Sequence, residues 1–201
     1  MSTEQDIAWM RQLAEEGGRA PYRGASIQFA AGLVYGLAAA AHALVASGAI
    51  AAPPAAFAVI WLGATVVFLA VMAALWVRLA RAPSATTAAN RAARAVWTGV
   101  GWACFALFAA FWMVIWRTGQ AGAAAFVLVP SIIMAFYGMG WAVTGAMMRD
   151  RRLSGLAVAS FAAAPVLGLC VGTGLQYWAY AAALLGLMAL PAWLMMRASR
   201  A

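Results

Sequence analysis

A chain of 201 residues that is 67% hydrophobic and 9% charged is not a soluble globular domain, since such domains carry about 25% charged residues. Mean hydropathy is +0.88. The net charge of +8 has no soluble basic domain to carry it, which excludes nucleic acid as a partner and makes the charge an orientation signal.

The first 24 residues read as a cytoplasmic segment. Within STEQDIAWMRQLAEEGG (2–18), Ile7, Trp9, Met10, Leu13 and Ala14 share one helical face, and Glu4, Arg11, Gln12, Glu15 and Glu16 share the other. Ser2 and Gln5 have capping-box spacing, and Gly17-Gly18 ends the helix. Its acidic face suits the arginines of the protein's own loops, or a partner's basic surface, better than anionic lipid. The segment has charges of both signs and no cleavable apolar core, so the first span serves as its own insertion signal.

Six apolar runs follow, at roughly 25–50, 55–79, 95–116, 123–148, 154–175 and 177–196, each able to cross a hydrocarbon core of ~30 Å. They are continuous rather than alternating, which indicates helices and not barrel strands. A helix also satisfies its own backbone in lipid. The expected fold is an all-α polytopic bundle: a six-helix transmembrane domain over 25–196, with a cytoplasmic tail at 197–201.

The first span contains YGLAAAAHALVASG (35–48) and the single histidine, His42. Its face carries Tyr35, Ala38, Ala39, Ala46 and Ala49, and Gly32 and Gly36 form a GxxxG close by, a pattern that lets helices approach. Three roles are open to His42: a neutral tie to a carbonyl or hydroxyl of another helix, an axial haem ligand with methionine opposite, or a contact to an organic ligand. Before the third span, Thr86 or Thr87 is placed to cap a helix. In the fourth span Pro130 removes a backbone donor, and the Ser131 hydroxyl is placed to serve the backbone instead. Pro165 and Pro191 interrupt the fifth and sixth spans. Gly168 and Gly172 make a second GxxxG, and GTGLQYW (172–178) reverses the chain between spans five and six. Cys104 and Cys170 differ in depth by roughly 10 Å at the helical rise, beyond disulfide reach, so both are expected as free thiols.

All 13 basic residues are arginine. Arg78 and Arg81, Arg149 and Arg152, and Arg197 and Arg200 end the second helix of each hairpin, a topogenic or headgroup-binding placement. Only Arg117 falls on the other side. This pattern places both termini in the cytoplasm of a bacterial inner-membrane protein.

The absences restrict the chemistry. The five acids (Glu4, Asp6, Glu15, Glu16, Asp150) all lie outside the spans, and there is no lysine. Proton-coupled carriers and dicarboxylate metal sites need carboxylates in the bundle. No Ser–His–Asp set, P-loop or C-x-x-C is present. The expectation is a non-enzymatic protein with no cofactor.

The ten tryptophans sort by depth. Trp76, Trp97, Trp116, Trp178 and Trp193 fall near span ends, as an interfacial belt requires. Trp61 and Trp112 share the depth of His42, as does Cys170, and Tyr180 lies just outside with Gln176. The expected ligand-binding set is therefore His42, Trp61, Trp112, Cys170 and Tyr180, an aromatic site with few polar groups. Trp102, Tyr137, Trp141 and Thr144 would make a second pocket in the cytoplasmic half.

The stretch PPAAFAVIW (53–61) resembles the Trp-rich, five-helix translocator-protein family, in which a double proline opens a span bearing Phe and Trp. That resemblance implies porphyrin or sterol binding. It covers about nine residues, the spacing differs by one, and a sixth span is present, so no residue role is carried over. The function expected from the residues themselves is binding or passing a small apolar or weakly polar molecule. The alternative is an accessory or oligomeric subunit. The expected partners are the lipid bilayer and a membrane partner protein or second copy.

Overall fold

The computed structural model describes residue 22, residues 24–80 and residues 87–199. The amphipathic helix expected over 2–18, and Arg81 and Arg200, lie outside the described residues. Six helices are long and apolar enough to cross a membrane. They are α1 (Ala25–Ala46), α2 (Ala55–Ala80), α3 (Ala88–Thr118), α4 (Val129–Met148), α5 (Arg151–Leu169) and α6 (Gln176–Ala198).

Local chemistry sets the ends. Thr87 caps α3, its hydroxyl accepting from the Asn90 amide. The helix thus begins at Ala88, about two turns before its first apolar run, because the Ala- and Arg-rich connection prolongs it. Asp150 caps α5 by accepting from the Arg152 amide at 2.8 Å. The two preceding residues reverse the chain tightly, with Arg149 in the left-handed region at φ 52°. Gly172, at φ +76°, lies in the turn before α6 and a Cβ there would meet nothing, whereas Gly168 stays inside α5 facing Ser131 of α4, so the pair is not a joint packing motif.

Packing defines an open arc in the order α2, α1, α6, α5, α4, α3. The α4–α5 hairpin is the tightest pair. A Cβ on Gly145 would lie 2.8 Å from the Ser154 amide nitrogen, and one on Gly138 would meet the Phe161 ring. The seam between α1 and α6 is equally close. A Cβ on Gly32 would run into the Ala189 backbone nitrogen, and one on Gly36 would meet the Leu185 side chain at 2.8 Å. The GxxxG of α1 therefore admits the backbone of α6. At that contact α6 widens into a π turn, Leu185–Ala189, with the Leu190 amide donating to the Leu185 carbonyl. Pro191 follows directly, and a proline in a helix interior disrupts the bonding of the turn before it.

A second proline is compensated from outside its helix. A ten-residue 3-10 segment, Gly119–Leu128, leads into α4. In 3-10 register the amide of residue 130 would serve the Val127 carbonyl, but Pro130 has no N–H. The Gln176 side-chain amide donates to Val127 O at 2.6 Å instead. Ser131, expected to do this work, has an unpartnered hydroxyl facing Gly168.

The ends of the arc are α2 and α3, consecutive in sequence yet barely packed on one another. At the arginine-rich end Arg94 lies over the Trp76 ring at 5.7 Å. No described side chain of α2 is buried, and α3 buries only Asn90, Ala93 and Val100. These two helices turn Val59, Leu62, Val66, Trp102, Phe105, Trp112, Met113 and Trp116 outward, as lipid contact allows.

Gly32→Ala should force the backbones of α1 and α6 apart and cost ~1–3 kcal/mol, the usual range for overpacking. Gly63→Ala, with open space around it, should leave the melting temperature in detergent unchanged or slightly higher. Gln176→Leu should lower it too, by leaving the Val127 carbonyl unpaired at ~1 kcal/mol.

Candidate functional site

The chain is a polytopic α-helical membrane protein, and two aromatic clusters occupy the inner side of its arc. The first is centred on His42, near the end of α1 opposite the arginine-rich side. The Trp61 indole N–H on α2 donates to His42 Nδ1 at 3.0 Å. The Tyr177 ring of α6 stacks on the imidazole at 3.5 Å and 21°, and the Phe57 ring of α2 lies at 4.4 Å. Trp61 also approaches Tyr177 at 6.2 Å and Tyr180 at 6.5 Å. Aromatic contacts of this kind add about 0.5–1.5 kcal/mol beyond simple burial.

The hydrogen bond fixes the chemistry of the ring. An imidazole that accepts at Nδ1 carries its proton on Nε2. Among the described residues none bonds that N–H, and the ring is only half-buried. The site therefore offers a donor between flat aromatic walls. Haem ligation through Nε2 would require the proton on Nδ1, where it would oppose the Trp61 N–H. His42 is a tie between α1 and α2, but as an acceptor from indole and not as a donor to a carbonyl or hydroxyl.

Of the residues expected around His42, the structure brings Trp61 into direct contact and places Tyr180 beside Trp61. Trp112 is 61% exposed on the outer face of α3 and shares no ring contact with His42 among the described residues. Cys170 caps the far end of α5, outside the cluster, and both thiols are free. Tyr177 and Phe57 were missed. Tyr177 stands one turn before Tyr180, and that spacing is the only signal the sequence offers.

The second cluster lies toward the arginine-rich end. Trp97, placed in the belt by depth, is instead turned inward. Its N–H donates to Thr144 Oγ1 at 3.0 Å, and its ring meets Trp141 at 5.1 Å and Tyr137 at 6.0 Å. Gly140 makes room for it, since a Cβ there would touch the indole at 2.9 Å. The Thr144 hydroxyl donates onward to the Gly140 carbonyl at 2.7 Å. Gln28 is buried beside them. With its amide oxygen toward Tyr22, it accepts from the Tyr22 hydroxyl and, at 3.3 Å, from Trp97 N–H. Tyr22 precedes α1, and burial pushes its phenol far above the ordinary range despite the opposing Gln28 contact. Tyr137, Trp141 and Thr144 thus meet as expected, whereas Trp102 is exposed.

An open apolar groove of about 330 Å³ runs along the α1–α6 seam, lined by Phe29, Leu185, Ala189, Leu190 and Trp193. It is open and apolar and belongs to neither cluster. The described arginines Arg78, Arg149, Arg152 and Arg197 are all exposed at helix ends, with Arg197 over the Trp193 ring at 4.8 Å. No family model matches the chain, and no curated protein or solved structure matches it.

Trp61→Phe keeps an aromatic ring and removes the donor. It should lower thermal stability by ~1 kcal/mol, the scale of an interhelical hydrogen bond in a bundle. His42→Ala should cost more, because it also removes the ring contacts to Tyr177 and Phe57, and the double variant should cost no more than His42→Ala alone, as a melting-temperature cycle would register.

Proposed function

We propose that this protein binds or passes a small apolar or weakly polar molecule within the membrane, at the aromatic site around His42, without catalysis. The observation that carries this reading is the presented Nε2–H of His42, held by Trp61 and walled by Tyr177 and Phe57. A ligand of matching chemistry has a flat apolar body and one hydrogen-bond acceptor. The placement of all five acids outside the spans supports a non-enzymatic role. The arginine distribution supports an inner-membrane orientation with both termini cytoplasmic.

One observation favours a second reading, an accessory or oligomeric subunit. A helix in a six-helix bundle that buries none of its described side chains, as α2 does, is the face that a partner helix or second copy would cover.

Native mass spectrometry from mild detergent separates the two. The first reading expects a monomeric mass with a retained small molecule that is lost on His42→Ala. The second expects a stoichiometric partner or dimer with no added small mass, and that result would overturn the first. Orientation is tested by single-cysteine labelling. A cysteine at position 88 should react from the cytoplasmic side and one at 120 from the opposite side, and the reverse pattern would invert the topology.

A further inference from the structure

Membrane proteins place tyrosine beside tryptophan at the lipid headgroups. Here none of the five tyrosines is exposed, while most of the tryptophans are. Tyr137 on α4 and Tyr180 on α6 belong to one packed interior cluster, and Tyr35 on α1, Tyr177 on α6 and Cys104 on α3 pack against it. Tyr137 and Tyr180 are 8% and 4% exposed. Neither hydroxyl is hydrogen-bonded to a described residue. Among those residues the polar side-chain atoms both sealed and unpartnered are Ser131 Oγ, Trp141 Nε1 and Ser160 Oγ. The two phenols are not among them, so neither hydroxyl is completely sealed.

An unpaired hydroxyl in such surroundings is unfavourable by ~1–3 kcal/mol, and an occupant that accepts hydrogen bonds removes the penalty. A carbonyl oxygen has two lone pairs and no donor of its own, so it can accept from a phenol without bringing a second unpaired donor into the interior. A carbonyl is also a polar group that lipid tolerates without a partner donor. The way in is lateral. Among the described residues the α2–α3 side of the arc lacks close helix packing, and the half-buried Trp61 of α2 and Cys104 and Leu107 of α3 pack against the interior cluster.

We propose that the Tyr137 and Tyr180 hydroxyls form a second, deeper site that takes the carbonyl of a membrane-dissolved aromatic ketone or quinone entering between α2 and α3. The site rests on the reading of the protein as a small-molecule binder, and Tyr177 joins it to the His42 cluster. The probe is benzophenone, photolabelled onto the full chain in phosphatidylcholine nanodiscs and mapped by peptide mass. Diphenylmethane, the same shape without the carbonyl, is the competitor. Saturable labelling is expected near Cys104, Tyr137 and Tyr180. It should fall about tenfold in Tyr137→Phe/Tyr180→Phe, which keeps both rings, and diphenylmethane should not displace it. Equal labelling of wild type and double variant, or equal displacement by diphenylmethane, would overturn the proposal. Saturable labelling confined to the His42 side and lost on His42→Ala would overturn it while leaving the broader reading standing. Labelling that never saturates would overturn both. A measurement on the unaltered protein guards against a misfolded variant: benzophenone should slow alkylation of Cys104 by N-ethylmaleimide, and diphenylmethane should not. No slowing would likewise count against the site.

Discussion

The interior of this bundle depends on how closely α1 approaches α6. Lipid tails are as apolar as leucine, so two helices gain nothing by hiding hydrocarbon from one another. They associate through close contact and the few hydrogen bonds available. Gly32 and Gly36 supply the contact by leaving room for the Ala189 backbone and the Leu185 side chain. With α6 held there, Tyr177 and Tyr180 fall opposite the outer half of α1, where His42 waits. The aromatic cluster is thus a consequence of a glycine seam about two to three turns away.

Polar groups in this membrane domain are few, and most are used to repair the backbone or to tie helices. Gln176 replaces the donor that Pro130 lacks. Thr144 both accepts from Trp97 and donates to its own helix. Trp61 reaches His42 across the α1–α2 interface. The Tyr137 and Tyr180 hydroxyls, like the Ser131 and Ser160 hydroxyls and the Trp141 N–H, repair nothing within the described residues, but the two phenol oxygens are not fully sealed. An interior that economises on polarity gains no stability from such groups, and the proposed occupant rests on that imbalance.

The six helices were legible in the sequence because length and hydropathy report directly on the cost of placing backbone and side chains in lipid. The inner faces were less legible for the same reason. In water an apolar stripe marks the core, but in lipid both faces are apolar and periodicity carries little. Depth is readable from position, so Trp61 was placed at the level of His42. Direction is not, and Trp112 at a similar depth turns outward. Trp97 shows the limit most clearly. It lies near a span end and would suit the belt, yet the gap at Gly140, a residue 43 positions away, draws it inward. The pairing of Gln176 with Val127 was hidden likewise, since it depends on a 3-10 segment that hydropathy does not distinguish from an α-helix.

The packing order has a consequence for biogenesis. Helices leave the insertion machinery in chain order, but α1 packs chiefly on α2 and on α6, the last to be made. At ~5–20 residues per second, synthesis takes on the order of ten seconds to pass from Gly32 to Ala189. During that interval the glycine face of α1 has no mate and its small residues face lipid or the insertase. The α4–α5 hairpin, by contrast, joins neighbours and is complete as soon as it emerges. Assembly therefore proceeds from two local units, α1–α2 and α4–α5, with α3 adjoining the second, and α6 enters last as the wedge that joins them. A chain arrested before α6 retains its hairpins and never acquires the interior.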